Sequence, residues 1–299
     1  MRAKREFKKI GNYVYDPNSE ALGQGTYGTV FKGVEFTNKE NKVAIKRIHK
    51  SMFNVYRDLG EMDFLDREMK ILKRIKGKNI VRYIDSFTTN EGNLYLITKF
   101  YKDGNLEELM RKSGGKLPLE KALKILKIIA QVFASLKELD LRNENGEKKT
   151  LIHRDLKPEN ILMEGDEPVI ADFGFAKFIL EEKEAEMQKH TIRFGTKAYM
   201  SPQLLSESSY SHKCDVWSMG IMTYEMIYGV RPWKGDFAYP LLEGIKNQPL
   251  TFPEEPEVPS FVKELIQGML EIEEAARYDW SKVVKVLEES QRCSSRDEL

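Results

Sequence analysis

LIHRDLKPENILMEGDEPVIADFGFAK, residues 151–177, is the stretch around which the 299-residue chain can be arranged. Asp155, Lys157, Asn160 and Asp172 lie within 18 positions, separated by short apolar runs. Asn160-Ile161-Leu162-Met163 and Pro168-Val169-Ile170-Ala171 predict two short strands, and Gly165-Asp166 between them suits a tight turn. Such a hairpin brings Asn160 and Asp172 close at its open end. An amide oxygen and a carboxylate at one spot are hard ligands, the kind Mg²⁺ takes beside substrate phosphates. Asp155 stands next to them as a candidate base, and Lys157 as a cation for developing phosphate charge.

Composition narrows the classes. Lys and Arg number 48 against 47 Asp and Glu, a formal net charge of +1, which argues against nucleic acid as the main partner. The chain is 41% hydrophobic and 32% charged, and long enough for a large core or two lobes. Two cysteines, Cys214 and Cys293, are too few for a disulfide scaffold, and no Cys/His cluster has zinc spacing. No apolar run is long enough to predict a membrane span. The basic start MRAKREFKKIGNYVY lacks the apolar core of a secretory signal. The match of Arg296 to Leu299 to an ER-retrieval signal is therefore set aside.

His153-Arg154-Asp155-Leu156-Lys157-Pro158-Glu159-Asn160 resembles the catalytic loop of eukaryotic protein kinases, and Asp172-Phe173-Gly174 resembles their metal-binding triplet. A lone triplet recurs by chance; the octapeptide followed by it 17 positions on (172 − 155) does not. The resemblance implies an α+β, bilobal kinase fold over 13–289. A small antiparallel-sheet N-lobe with one key helix spans about 13–101, and a larger, mostly helical C-lobe about 102–289. A basic tail, 1–12, and a polar tail, 290–299, flank them. ATP is then the co-substrate, bound in the cleft with Mg²⁺ or Mn²⁺, and a protein Ser/Thr hydroxyl the acceptor. Asp155 orients the hydroxyl, Asn160 and Asp172 hold the metal, and Lys157 steadies the transferring group.

Working back towards the N-terminus, Gly23, Gly25 and Gly28 form a G-x-G-x-x-G pattern that is weak alone. Thr29 to Val34 continues it as a strand, whereas a dinucleotide fingerprint needs a helix there. Strand, glycine turn and strand resemble the kinase flap over the ATP phosphates. Val43-Ala44-Ile45-Lys46 reads as a buried strand carrying one lysine. Residues 61–76 show helical periodicity, and the resemblance selects Glu68 as the ion-pair partner of Lys46. Leu72 should pack towards Phe173, His153 and Tyr83. Two further strands follow, Ile80 to Phe87 and Asn93 to Phe100. The resemblance makes Thr98 the residue at the back of the adenine pocket and Lys99, Phe100 and Tyr101 the hinge. Leu22, Val30, Ala44 and Leu162 complete the implied ATP-binding set. Most family members carry an acid where Lys99 stands.

Helices are predicted from Leu106 and over Pro118 to Leu139, then a polar surface insertion, 140–149. Phe178 to Gln203 resembles the activation segment. Thr191 is its candidate phosphorylation site, with Arg154 and Lys177 or Arg193 as a basic pocket for the phosphate. Thr196 is expected to contact Asp155 and Lys157. Ser201-Pro202-Gln203 replaces the usual Ala-Pro-Glu, whose glutamate pairs with a buried arginine, here Arg277. The apolar run from Asp215 to Tyr228 predicts a helix buried on all sides, and its resemblance to the central helix of the family's C-lobe implies that Asp215 holds the catalytic-loop backbone.

Lys157-Pro158-Glu159 and Thr196 match serine/threonine rather than tyrosine kinases, and the wording resembles the calcium/calmodulin-type and Unc-51-like members. The expected setting is cytoplasmic or nuclear signalling, with an upstream activating kinase or trans-autophosphorylation. A pseudokinase scaffold is the rival from another class. It predicts loss of Lys46, Asp155 or Asp172, and all three are present. A small-molecule kinase of related fold is a second rival, opposed by residues 195–203.

Overall fold

Lys42–Ile48, KVAIKRI, alternates, and as a strand it buries Val43, Ile45 and Ile48. β-branched residues at alternate positions suit a pleated, half-buried surface. This strand, β5, belongs to an antiparallel sheet of seven strands in the first of two units, Met1–Lys102; the second is Asp103–Leu299. The computed structural model describes residues 7–25, 28–50, 64–139, 141–142, 145–180, 196–235 and 237–294. The other strands are β1 Lys8–Ile10, β2 Tyr13–Tyr15, β3 Gly23–Gly25, β4 Gly28–Glu35, β6 Tyr83–Thr88 and β7 Leu94–Lys99. Their order is β1-β2-β4-β5-β7-β6, with β3 on β4.

Ile10, Tyr15, Phe31, Val43, Ile45, Tyr95 and Ile97 form one apolar cluster of this unit. The register decides what the opposite face carries. Lys46 lies across from Val30 and Leu96, and Ala44 across from Lys32 and Thr98. Opposed residues share a face, as do residues two apart on one strand. Val30, Ala44, Lys46 and Thr98 therefore share the face turned away from Val43 and Ile45. Helix α1, Phe64–Arg74, belongs to the same unit and buries Ile71 and Leu72. Predicted residues 61–63 of this helix lie outside the described residues.

The basic N-terminal stretch differs from expectation. Residues 8–10 are not tail but β1, paired with β2, and Ile10 enters the cluster at 7% exposure. The charge of Lys8 and Lys9 hid an alternation that leaves their ammonium groups over the rings of Tyr95 and Phe36. The rest of that tail, 1–6, lies outside the described residues.

The second unit is mostly helical. Helices α2 Leu106–Lys112, α3 Leu119–Glu138, α4 Pro202–Leu205, α5 Lys213–Tyr228, α6 Ala238–Asn247, α7 Ser260–Met269 and α8 Trp280–Ser294 are accompanied by two two-stranded antiparallel sheets. Strands β8 Lys149–Ile152 and β11 Lys177–Leu180 pair with each other, as do β9 Ile161–Glu164 and β10 Glu167–Ile170. The predicted polar insertion, expected to be under ten residues, ends before Lys149, which belongs to β8, and Arg142 bridges Lys148. The C-terminal tail also differs: α8 continues to Ser294, helped by Lys127 donating to Gln291 at 2.6 Å. Helix α5 is buried all round except at Lys213 and Glu225. It ends at Gly229, whose φ of 74° is the left-handed conformation that glycine adopts without steric penalty.

Candidate active site

The β9–β10 hairpin does what its sequence predicts. Its turn is Gly165-Asp166, and at its open end the Ala171 amide donates to the Asn160 carbonyl at 2.9 Å. This sets Asn160 and Asp172 at neighbouring points of one edge. The Asn160 side chain donates from Nδ2 to the Asp155 carbonyl (2.8 Å) and to Asp155 Oδ2 (2.9 Å). Its Oδ1 is thereby the atom left to accept from elsewhere. One amide oxygen and one carboxylate make a hard donor set that fits Mg²⁺ once phosphate oxygens and water complete it.

Lys157 joins two predicted residues. Its ammonium lies 3.0 Å from Asp155 Oδ2 and donates to the Thr196 hydroxyl at 3.0 Å. Asp155 is 7% exposed. Burial pushes its carboxyl up to about 6, with Lys157 opposing and the nearby Asp172 reinforcing the rise. A carboxylate so desolvated is a better proton acceptor than one in water.

The backbone beneath this cluster is strained. Arg154 and Asp172 are non-glycine residues with φ of 66° and 59°, a conformation costing roughly 1–2 kcal/mol each. Asp215, 1% exposed at the start of α5, holds the first of them. Its two carboxylate oxygens accept the amides of His153 (2.6 Å) and Arg154 (2.8 Å). His153 closes the frame. Burial keeps its ring below the usual histidine pKa and hence neutral; Nε2 lies 3.0 Å from the Ala171 carbonyl and Nδ1 accepts the Asp155 amide. The proton therefore sits on Nε2. Its ring meets Phe173 edge-on at 4.9 Å.

Arg154 is buried, donating to the Phe175 carbonyl at 2.6 Å and the Tyr210 hydroxyl at 3.2 Å. Both are neutral acceptors. The proposed partner Arg193 and the site Thr191 lie outside the described residues.

In the first unit, Lys46 Nζ lies 3.1 Å from Glu68 Oε2 and 3.2 Å from Oε1. Glu68 is 3% exposed, so the charge is deeply placed and matched. A Cβ on Gly28 would collide with the carbonyl oxygen of Arg47, so glycine is what lets β4 cross there. Leu22 donates its amide to the Val30 carbonyl at 2.8 Å, and Gly25 pairs with Gly28. Lys99, expected in the hinge, folds its ammonium over the Tyr101 ring at 5.1 Å, while Lys32 covers Phe100 at 4.6 Å. Leu162, in the second unit, bridges Asn105. Leu72 is buried in its own unit, where Lys73 covers the Tyr83 ring.

Gln203 behaves as expected, accepting from Arg277 Nη2 at 2.8 Å. What sequence reasoning missed is Glu274, 3.7 Å from Arg277 Nη1, and Tyr210 on Arg154. Neither belongs to a motif; the Tyr210 contact is remote in sequence, and the Glu274 contact, three residues from Arg277, gains its meaning only beside Gln203.

The protein kinase domain model matches residues 17–287. The chain is similar to Serine/threonine-protein kinase atg1 of Dictyostelium discoideum, 30% identical over 279 residues, covering 91% of this chain and 38% of the relative. It is 32% identical to human Serine/threonine-protein kinase ULK3 over 263 residues, 87% of this chain and 51% of the relative. It is likewise 32% identical to mouse Serine/threonine-protein kinase 36, over 87% of this chain and 18% of the relative. The chain thus spans about half or less of the length of these relatives.

Proposed function

The chain belongs to the protein kinase domain family, and from that premise we propose that it transfers the γ-phosphate of ATP to serine or threonine hydroxyls of proteins. The observation that carries this reading is the Asp155–Lys157–Thr196 cluster, in which one ammonium is bound both to a desolvated carboxylate and to a hydroxyl. Asp155 accepts or orients the proton of the incoming hydroxyl. Lys157 faces the charge that develops on the transferring group. Lys46, fixed by Glu68, positions the α- and β-phosphates. Asn160 Oδ1 and the Asp172 carboxylate are the atoms that would hold Mg²⁺, which when bound neutralises phosphate charge. Each role is positional or electrostatic, as a loose transition state requires. An ATP-consuming reaction of this kind suits the cytoplasm or nucleus, with an activating kinase or a second copy of the chain as the source of any activating phosphate.

The test is incubation with Mg·ATP and a generic protein substrate, followed by phosphoamino-acid analysis. Phosphoserine or phosphothreonine is expected. Nucleotide binding without turnover would favour the scaffold reading, and phosphate on a small molecule alone the other rival.

Three further outcomes follow from the assigned roles. Thr98 is half-buried on the same face as Ala44, and its small side chain leaves room behind the adenine. Inhibitors that place a bulky group there are expected to bind, and Thr98→Met to weaken them at least about tenfold, about 1.4 kcal/mol; equal binding to both forms would remove Thr98 from that role. Thr191→Ala is expected to lower activity at least about tenfold, since an added phosphate brings about −1.5 to −2 charges to Arg154. Thr196→Ala is expected to impair catalysis whatever the phosphorylation state, because it strips the hydroxyl from Lys157. Full activity of the Thr191→Ala form, with Thr191 unmodified by mass spectrometry in active protein, would sink the switch.

A further inference from the structure

Arg277 is 1% exposed, and burying a guanidinium is unfavourable unless every donor is satisfied and a counter-charge is near. Four of its five N–H donors make hydrogen bonds. Nε donates to the Glu271 carbonyl (2.8 Å), Nη1 to the Lys213 carbonyl (3.2 Å), and Nη2 to Gln203 Oε1 (2.8 Å) and the Ile272 carbonyl (3.2 Å). The guanidinium also lies 5.0 Å over the Trp217 ring. Nearly all these acceptors are neutral. Among the described residues, the carboxylate within ion-pair distance is Glu274, 3.7 Å from Nη1, its side chain 11% exposed. Glu274 is itself fixed, because both of its oxygens accept the Ser211 amide at 3.1 Å.

Gln203 is neutral by construction of its bonds. Its amide nitrogen donates to the Ile272 carbonyl at 2.8 Å while its oxygen accepts from Arg277. A glutamate there would lose that donor and set an oxygen against the Ile272 carbonyl. Burial lowers the proton affinity of Arg277 at this spot, and Glu274 is the largest influence opposing that fall.

We propose that Glu274 is a positioning residue: it supplies the negative charge that keeps Arg277 buried, and through Arg277 it fastens Gln203, at the end of residues 178–203, to the 271–277 loop. The charge and the fastening are thereby divided between two residues, Glu274 carrying the first and Gln203 the second. The functional half of this proposal rests on the reading of 178–203 as the activation segment; the electrostatic half does not.

The experiment is a double-mutant cycle on the full chain: Glu274→Gln, Gln203→Glu and the pair, each read by thermal midpoint and by separate KM values for ATP and protein substrate. Glu274→Gln is expected to lower the midpoint by at least about 4 °C, and to raise KM for the protein at least about threefold without moving KM for ATP. Gln203→Glu alone is expected to lower the midpoint. In the Glu274→Gln background the same change is expected to raise it and to restore the KM for protein, because the charge is then returned from the other side. The reversal of sign is the signature. An unchanged midpoint in Glu274→Gln, or a Gln203→Glu effect of one sign in both backgrounds, overturns the proposal. If Glu274→Gln alone is insoluble, recovery of folded protein in the double variant supports it and failure to recover overturns it. A midpoint that reverses as expected in a chain without kinase turnover would leave the charge assignment standing and defeat the function proposed above.

Discussion

Asp172→Asn is expected to abolish turnover while leaving the fold intact, a fall in kcat of at least about a thousandfold, or about 4 kcal/mol in barrier. The reasoning separates backbone from charge. Asp172 sits at φ 59° and ψ 65°, a left-handed conformation that asparagine tolerates as well as aspartate does. The substitution therefore adds no backbone strain. It removes the one formal charge on the hairpin edge beside Asn160, leaving two neutral amides where a divalent cation needs an anionic ligand. Thermal midpoint and kcat should consequently come apart: the first nearly unchanged, the second lost. Asp172→Ala is the control, since alanine in that conformation is strained and should lower both. An unchanged kcat for Asp172→Asn at saturating Mg·ATP would dismiss Asp172 as a metal ligand.

Asp215→Asn is expected to cause the second large loss, this time in both quantities. Asp215 accepts two amides with two oxygens; asparagine keeps one acceptor and turns an NH₂ group against the other amide. One charge-assisted bond is lost and one buried N–H is stranded, together about 3–5 kcal/mol, partly offset because a desolvated carboxylate is no longer buried. For a domain of this size that lowers the midpoint by roughly 6–12 °C. The larger effect should be on kcat. The stranded amide belongs to His153 or to Arg154, whose left-handed backbone then loses one of its restraints, and Asp155 follows it in the chain. A fall in midpoint with kcat within about twofold of the parent would mean that Asp215 supports the fold alone.

The centre of the site was legible because its residues are contiguous. Asp155, Lys157, Asn160 and Asp172 are joined by a hairpin whose alternation and turn are written in local sequence. The pairing of Lys46 with Glu68 was legible from the resemblance and is present at 3.1 Å. Periodicity alone could not select Glu68 from its charged helical neighbours. Strand β1 was missed because three residues, two of them lysine, carry almost no pattern, and only the sheet beside them gives Ile10 a place to be buried. Glu274 was missed for another reason: its contact with Arg277 spans a single turn, but its importance depends on Gln203, 71 positions earlier (274 − 203). The neutral His153 bridge was likewise invisible, since a tautomer is decided by acceptors that only the fold supplies.

Strand β1 also bears on how the protein should be handled. The family match begins at residue 17, and an expression boundary drawn there would delete both β1 and β2. Ile10 and Tyr15 would go with them, uncovering Phe31, Val43 and Tyr95 in the cluster they help to seal. Burial of two such side chains is worth about 1.5–3 kcal/mol each. A recombinant form trimmed to the match should therefore be less soluble and more prone to self-association than one that starts at or before Phe7, even though every residue of the proposed site is retained.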